Sequence, residues 1–517
     1  MRSTANKLTA MAGALLLAAC SQPVAESGDS VTPDNVVTGA GRQIVQIDPD
    51  NDPRVWLEEV EGEAAIEWVE GQNTRTFDRL QGDERYQGMF DQALAIYQSE
   101  DRIPGGAFYG GFVWGFWQDA TNTHGLWRRT TMESYVTDTP EWDVILDLDA
   151  LSETEGRNWV WRGANCLAPD YEHCMVTLSD GGSDAAVRRE FSISAREFVD
   201  GGFETPDAKG GVSWIDADTL LVGLATSDAD STDSGYPSVA YRWERGVALE
   251  DATEVVRGDR SDVGLFTFRA EDFDGTVYMM ASQAVTFYDT NWWYLPADAA
   301  PVQLPLPAKS SIQDIFHGQL VFTIEEDWAP VEGGASFAQG SLLSFDIAEW
   351  VATGELPSVH TVYVPRARQS LGGMGSTRTA FLVEIDENVV GGLEAFQFVD
   401  GAWTSETIPV PANMTITLGS THRHEDIAFM TAEGFLTPDT LSVVNSAALT
   451  VEPIKSIPAR FDAEGLVVEQ LEAASPDGTM IPYFVVRRED TVMDGTTPTL
   501  LYAYGGFQVS IRPSYSG

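Results

Sequence analysis

From Phe112 to about residue 462 the chain never holds a helical period; for some 350 residues short apolar or aromatic runs alternate with turn residues. Phe112 to Trp117 and Gly125 to Thr131 flank Asp119-Ala120-Thr121-Asn122, a hairpin signal. Further turns follow at Asp180-Gly181, Asp200-Gly201, Asp274-Gly275 and Asp400-Gly401. Many short strands without helical interruption fit a sandwich array, a barrel or a propeller. Length selects among these, because at about 40 to 50 residues per four-stranded blade the stretch makes seven or eight blades.

What flanks this array has a different texture. Between Val55 and Tyr97 the apolar residues follow helical spacing, with Ile66, Val69, Phe77 and Leu80 on one stripe and Tyr86, Phe90, Ala93, Leu94 and Tyr97 on the next. Gln81-Gly82-Asp83 separates two helices, and Pro104-Gly105-Gly106 closes the segment. Past Ala459, Leu466 to Ala474 and Met480 to Arg487 alternate around Ser475-Pro476-Asp477-Gly478-Thr479, another hairpin. Pro498 to Ala503 is nearly all apolar and ends in Tyr504-Gly505-Gly506-Phe507. It reads as a central strand of a parallel sheet, buried on both faces, and the glycines allow the tight turn that ligand-facing loops of such sheets require.

A chain of 517 residues exceeds one ordinary core, and 43% hydrophobic residues with 15 Trp, 24 Phe and 15 Tyr supply ample material for more than one. The 79 acidic against 31 basic residues give a formal charge of -48, a surface that repels phosphate backbones and excludes nucleic acid as a partner. The acids are scattered rather than clustered, so they serve solubility and carry no mechanism.

The first residues form an export signal: Arg2 and Lys7, an apolar run from Leu8 to Ala19 too short to span a membrane, then Cys20-Ser21-Gln22-Pro23. Leu17-Ala18-Ala19-Cys20 resembles the lipobox of bacterial lipoproteins, in which the cysteine is acylated after cleavage. Residues 21 to about 51 then read as a tether. Cys166 and Cys174 remain, and their spacing leaves a disulfide and two buried free thiols equally open.

Four separated stretches resemble the prolyl oligopeptidase family of serine peptidases. Val55-Trp56-Leu57-Glu58-Glu59 with Glu67-Trp68-Val69-Glu70 and Gln72-Asn73 is similar to its helical N-terminal segment. Leu178 to Asp184 with Arg189-Glu190-Phe191, and Asp233 to Pro237 with Tyr241-Arg242-Trp243, are similar to propeller stretches of its bacterial members. Ser475 through Phe507 resembles the start of its hydrolase domain. The resemblance implies a mainly β chain, a seven-bladed β-propeller inserted in an α/β-hydrolase domain of which only the N-terminal helices and first strands are present. The expected organisation is a signal peptide over 1–19, a lipidated terminus and tether over 20–50, helices over 51–113, the propeller over 114–462 and an incomplete peptidase domain over 463–517.

By the same resemblance the protein is a serine-type oligopeptidase of short peptides, cutting after proline, with the propeller gating access. Tyr504 would be the oxyanion donor and Phe507 a wall of the pocket for the residue before the cut bond. The family's Ser, Asp and His follow the Tyr-Gly-Gly-Phe turn, no Gly-x-Ser-x-Gly occurs in the sequence, and ten residues follow Phe507, which implies that the triad is not among these residues. No cofactor is implied. No metal site is expected either, because His422 and His424, two apart on what reads as an exposed strand, lack a third ligand at a diagnostic spacing. The rival function is a non-enzymatic propeller lipoprotein that binds partners across its blades. Localisation is expected at the cell envelope, anchored to the outer membrane by the N-terminal lipid and facing the periplasm. Mass analysis of the protein from a bacterial envelope is expected to show lipidated Cys20 as its first residue, and an intact Met1 terminus would refute export by this route.

Overall fold

A computed structural model describes residues 52–59, 62–331, 333–504, 506 and 509–516; Cys20 and Phe507 lie outside the described residues. The described chain falls into two compact units that divide at Glu100 and Asp101.

The first unit is helical. A 3-10 turn, Val55–Glu58, precedes α1, Glu63–Gln81, and α2, Tyr86–Tyr97. Gly82 ends α1, where a Cβ would stand 2.7 Å from the Asp78 carbonyl oxygen. Both apolar stripes stay exposed, among them Ile66, Phe77, Leu80, Phe90 and Tyr97.

The second unit is the β array, which, against the reading of no helical interruption, also carries the short helices Leu148–Glu155 and Ile347–Thr353, each capped by an Asp and ended by a left-handed Gly. Among the described residues it contains seven four-stranded sheets, each an antiparallel meander of consecutive strands, and one two-stranded hairpin. The sheets are the blades of a seven-bladed propeller, blades 1 to 7, spanning residues 107–147, 159–198, 210–257, 264–303, 310–363, 369–408 and 415–456. First strands of neighbouring blades lie against one another, as Gly264–Glu271 does against Gly210–Asp216 and Ala107–Tyr109 against Thr415–Thr421. The first strands therefore ring the axis. Blade 1 takes in Ala107–Tyr109, inside the stretch assigned above to the helical segment, because three residues are too few to display a period of two.

Turn chemistry fixes the register. Val399 pairs with Ala402 around Asp400 and Gly401, whose φ values of 51° and 79° match the twist of a two-residue hairpin. The 387–390 turn has the same geometry with Asn388 and Val389 at 52° and 61°, a conformation that a β-branched residue rarely adopts.

Blades adhere through apolar faces. Tyr278, Met280 and Trp292 of blade 4 pack with Ile312, Leu320, Phe322, Leu343 and Phe345 of blade 5. Blade 7 meets blade 1 through Phe429 and Leu441 against Phe108, Val113 and Tyr135, and the Phe108 amide donates to Ser420 Oγ at 3.1 Å. No strand is shared across this seam.

After blade 7, Leu466–Ala474 and Met480–Arg488 pair as a hairpin. The expected buried strand over Pro498 to Ala503 is corrected. The segment carries no strand, and Leu500 and Leu501 are 92% and 90% exposed. A parallel strand needs neighbours for its main-chain bonds, and none of the described strands pairs with it. Replacing Phe345, fully buried between blades 4 and 5, by alanine is expected to cost about 3–5 kcal/mol in denaturant unfolding. A loss below about 1 kcal/mol would contradict this interface.

Candidate functional site

Because every blade begins with its axial strand, the turns that follow those strands gather at one end of the axis. Arg423, after the axial strand of blade 7, reaches Asp314 of blade 5, with Nη2 donating to Oδ1 at 2.6 Å, and its guanidinium lies 5.4 Å from the Phe273 ring of blade 4. Phe273 stacks on His317 of blade 5 at 4.0 Å, and His317 Nε2 donates to the Arg378 carbonyl of blade 6 at 3.1 Å. Arg269 pairs with Glu271 on blade 4. These contacts lace blades 4 to 7 together at this end of the axis.

Blade 2 contributes a clamped loop. Cys166 and Cys174 are opposite each other in the first two strands and form a disulfide, so the alternative left open by their spacing is resolved in favour of the bond. The loop they close carries Tyr171 at φ 54° against Tyr109 of blade 1, with ring centroids 5.1 Å apart. Gly110 makes room for it, since a Cβ there would stand 2.9 Å from the ring. Burial pushes the Tyr171 hydroxyl up, Glu271 adds to the rise, and Arg269 and Arg423 oppose it. One phenol thus senses charges from blades 4 and 7.

The start of the axial strands marks the opposite end, and residues 512–515 reach it. Thr415 Oγ1 donates to the Pro513 carbonyl at 2.6 Å, Arg512 Nη1 donates to Asp386 Oδ2 at 3.1 Å, and the Tyr515 amide donates to Glu433 at 2.8 Å. The Tyr515 ring stacks on Phe461 at 5.1 Å and its hydroxyl accepts from the Arg460 amide at 2.7 Å. Tyr504 itself stands on irregular chain, 45% exposed. Its hydroxyl lies where a Cβ on Gly506 would come within 2.9 Å.

The remaining candidates hold no acyl-transfer set. His424 is exposed, but His422 is half-buried, and both occupy a turn rather than the exposed strand read from the sequence; their rings are 6.0 Å apart, and burial pushes the His422 imidazole down. Among the described residues no group of three or more His, Cys, Asp and Glu could hold a metal ion. His124, Asp149 and Ser152 line one surface pocket, yet Asp149 is occupied by Thr123 Oγ1 and the amides of His124 and Gly125, and His124 Nδ1 by the Trp159 carbonyl. Arg423, Tyr171, Arg512 and Glu384 carried no sequence motif. The bulge-forming Gly372-Gly373 beside Glu384 was the available signal.

The profile of the prolyl oligopeptidase N-terminal beta-propeller domain matches residues 40–456. An uncharacterized peptidase of Sinorhizobium fredii is 40% identical over 471 residues, covering 90% of this chain and 65% of that protein. Another, of Rickettsia prowazekii, is 28% identical over 89% of this chain and 65% of its own length. The chain thus spans just under two thirds of these relatives. Among solved structures, a post-proline cleaving enzyme from Rickettsia typhi superposes with a TM-score of 0.84 at 27% identity, covering 90% of this chain and 69% of that one.

Alkylation of the denatured protein, purified in air, is expected to leave Cys166 and Cys174 unmodified until a reductant is added. Labelling of both without reductant would contradict the clamped loop.

Proposed function

The chain belongs to the prolyl oligopeptidase family, and from that premise we propose that it supplies the propeller and the first part of the peptidase domain of a serine-type oligopeptidase acting on short peptides after proline. The observation that carries this reading is the order of parts. A propeller whose profile match ends at residue 456 is followed by a hairpin, the sequence Tyr-Gly-Gly-Phe and residues 512–515 that contact blades 6 and 7. The rival reading, a propeller that only binds partners, gives these later residues no task. The Rickettsia typhi neighbour is described as post-proline cleaving, which supports the substrate class proposed here.

Peptide hydrolysis by this route needs a nucleophilic hydroxyl, a base to take its proton and a group to orient the base. These 517 residues contain no nucleophile elbow, so the reading requires a triad outside them. What this chain contributes is charge stabilisation and exclusion. The Tyr504 hydroxyl would donate to the oxyanion as the carbonyl becomes tetrahedral, and Phe507 would wall the pocket for the residue before the cut bond. The propeller would restrict access to chains thin enough to reach the site, and a lipid on Cys20 would hold the whole at the envelope.

Residues 21–517 and a product extended through the downstream reading frame are to be assayed on short proline-containing chromogenic peptides. Turnover is expected only from the extended product, and there Tyr504→Phe is expected to lower kcat by about 10²–10³-fold with little change in KM. Serine-reagent-sensitive turnover by 21–517 alone would refute the proposal.

A further inference from the structure

The acid pair on the second strand of blade 6, Phe381–Glu387, is built into the fold in a way that the propeller alone does not explain. Glu384 is 2% exposed and Asp386 6%. The Glu384 carboxylate sits over a bulge in the neighbouring axial strand, where the register shifts between Leu371 and Met374. Gly372 and Gly373 make the space: a Cβ on either would stand 2.4 Å or 2.7 Å from a Glu384 carboxylate oxygen. The amides of Gly373 and of Leu418, on blade 7, donate to it. A buried carboxylate supplied with two amide donors and a fitted cradle still lacks a cation from its own blade.

That cation is Arg512, beyond the Tyr-Gly-Gly-Phe sequence. Arg512 Nη1 lies 3.5 Å from Glu384 Oε2 and 3.1 Å from Asp386 Oδ2, and also reaches the Ile416 carbonyl at 3.4 Å. Thr415, Glu433 and Arg460 hold Pro513 and Tyr515, just past the seat, so residues 512–515 are gripped by more than one contact.

We propose that Arg512 is a positioning residue, a proton-sensitive latch whose seat on Glu384 and Asp386 holds residues 509–516 at the axial end of blades 6 and 7 and so limits how far Tyr504 can stray. The inference rests on Tyr504 being the oxyanion donor. Arg512 follows Tyr504 by eight positions, so the latch tethers Tyr504 within about 27 Å of the seat, at most about 3.4 Å for each step. Charge sets the sign. Burial pushes the Glu384 carboxyl up, with the Gly373 and Leu418 amides and Arg512 opposing and Asp386 reinforcing the rise. The largest charged influences on it are Arg512 from the tail and Asp386 from its own strand; blade 7 faces it with the Leu418 amide, and the Glu433 carboxylate of that blade is engaged by the Tyr515 amide. Arg512 favours ionised Glu384, so the latch is closed above the raised Glu384 pKa. It loosens as pH falls through that value, above the ordinary carboxyl range near about 4.3.

Amide hydrogen exchange on residues 21–517, corrected for intrinsic rates, reads the latch without any catalytic assay. Exchange over 509–516 is expected to be slow at pH 7 and to rise about tenfold as pH is lowered toward the ordinary carboxyl range, while the 381–387 strand stays protected. Arg512→Met is expected to give the fast rate at both pH values, Arg512→Lys to restore most of the protection at pH 7, and Glu384→Gln to abolish the pH dependence. Unchanged protection of 509–516 in Arg512→Met, or a pH dependence that survives Glu384→Gln, would overturn the latch. Should Glu384→Gln unfold blade 6, loss of protection over 381–387 reports it and the Arg512 pair of variants decides. Failure of the oxyanion role would show only in kcat of Tyr504→Phe and would leave these exchange rates untouched.

Discussion

Seven separate sheets make a ring only where the last meets the first, and here that seam is made by side chains. A shared strand would join blades 1 and 7 through a ladder of main-chain bonds. In its place, Tyr135, fully buried, packs its ring 5.5 Å from Phe429, and Lys455 Nζ donates to the Thr137 carbonyl at 2.7 Å. Each large side chain buried there contributes about 1.5–3 kcal/mol, so the seam is a packing interface like the six others. Both ends of the axis depend on it. Arg423 reaches Asp314 only while blade 7 is held in the ring, and the Thr415 and Leu418 contacts to Pro513 and Glu384 lie on the same blade.

Legibility followed local chemistry. Period-two alternation and Asp-Gly turns are properties of neighbouring residues, which is why the Leu466–Ala474 and Met480–Arg488 hairpin stands where the pattern places it. Asn388-Val389 forms the same kind of turn as Asp400-Gly401 without a glycine, so only the fold reveals it. Ala107–Tyr109 is a strand because Phe112–Trp117 pairs with it, not because three residues carry a signal. Pro498 to Ala503 shows the converse. An apolar run reports that a strand would suit the segment, but strand formation needs paired neighbours, and Leu500 and Leu501 stand exposed without them.

The site was less legible than the fold for the same reason. Tyr504 stands out because it belongs to a contiguous motif, whereas Arg512, Glu384 and Thr415 are distant in sequence and meet only when blades 6 and 7 are side by side. The disulfide likewise depends on Cys166 and Cys174 facing each other across two strands, a matter of register that their spacing does not reveal.

The central claim is that these residues serve a serine peptidase whose nucleophile lies outside them. Treating the native protein from its source with a fluorophosphonate, and mapping the adduct by peptide mass analysis, tests it most directly. The account predicts one modified serine, in the same polypeptide as blades 1 to 7 and beyond Gly517. An adduct on a serine within residues 107–456, or peptide cleavage by a protein that takes up no label, would contradict it.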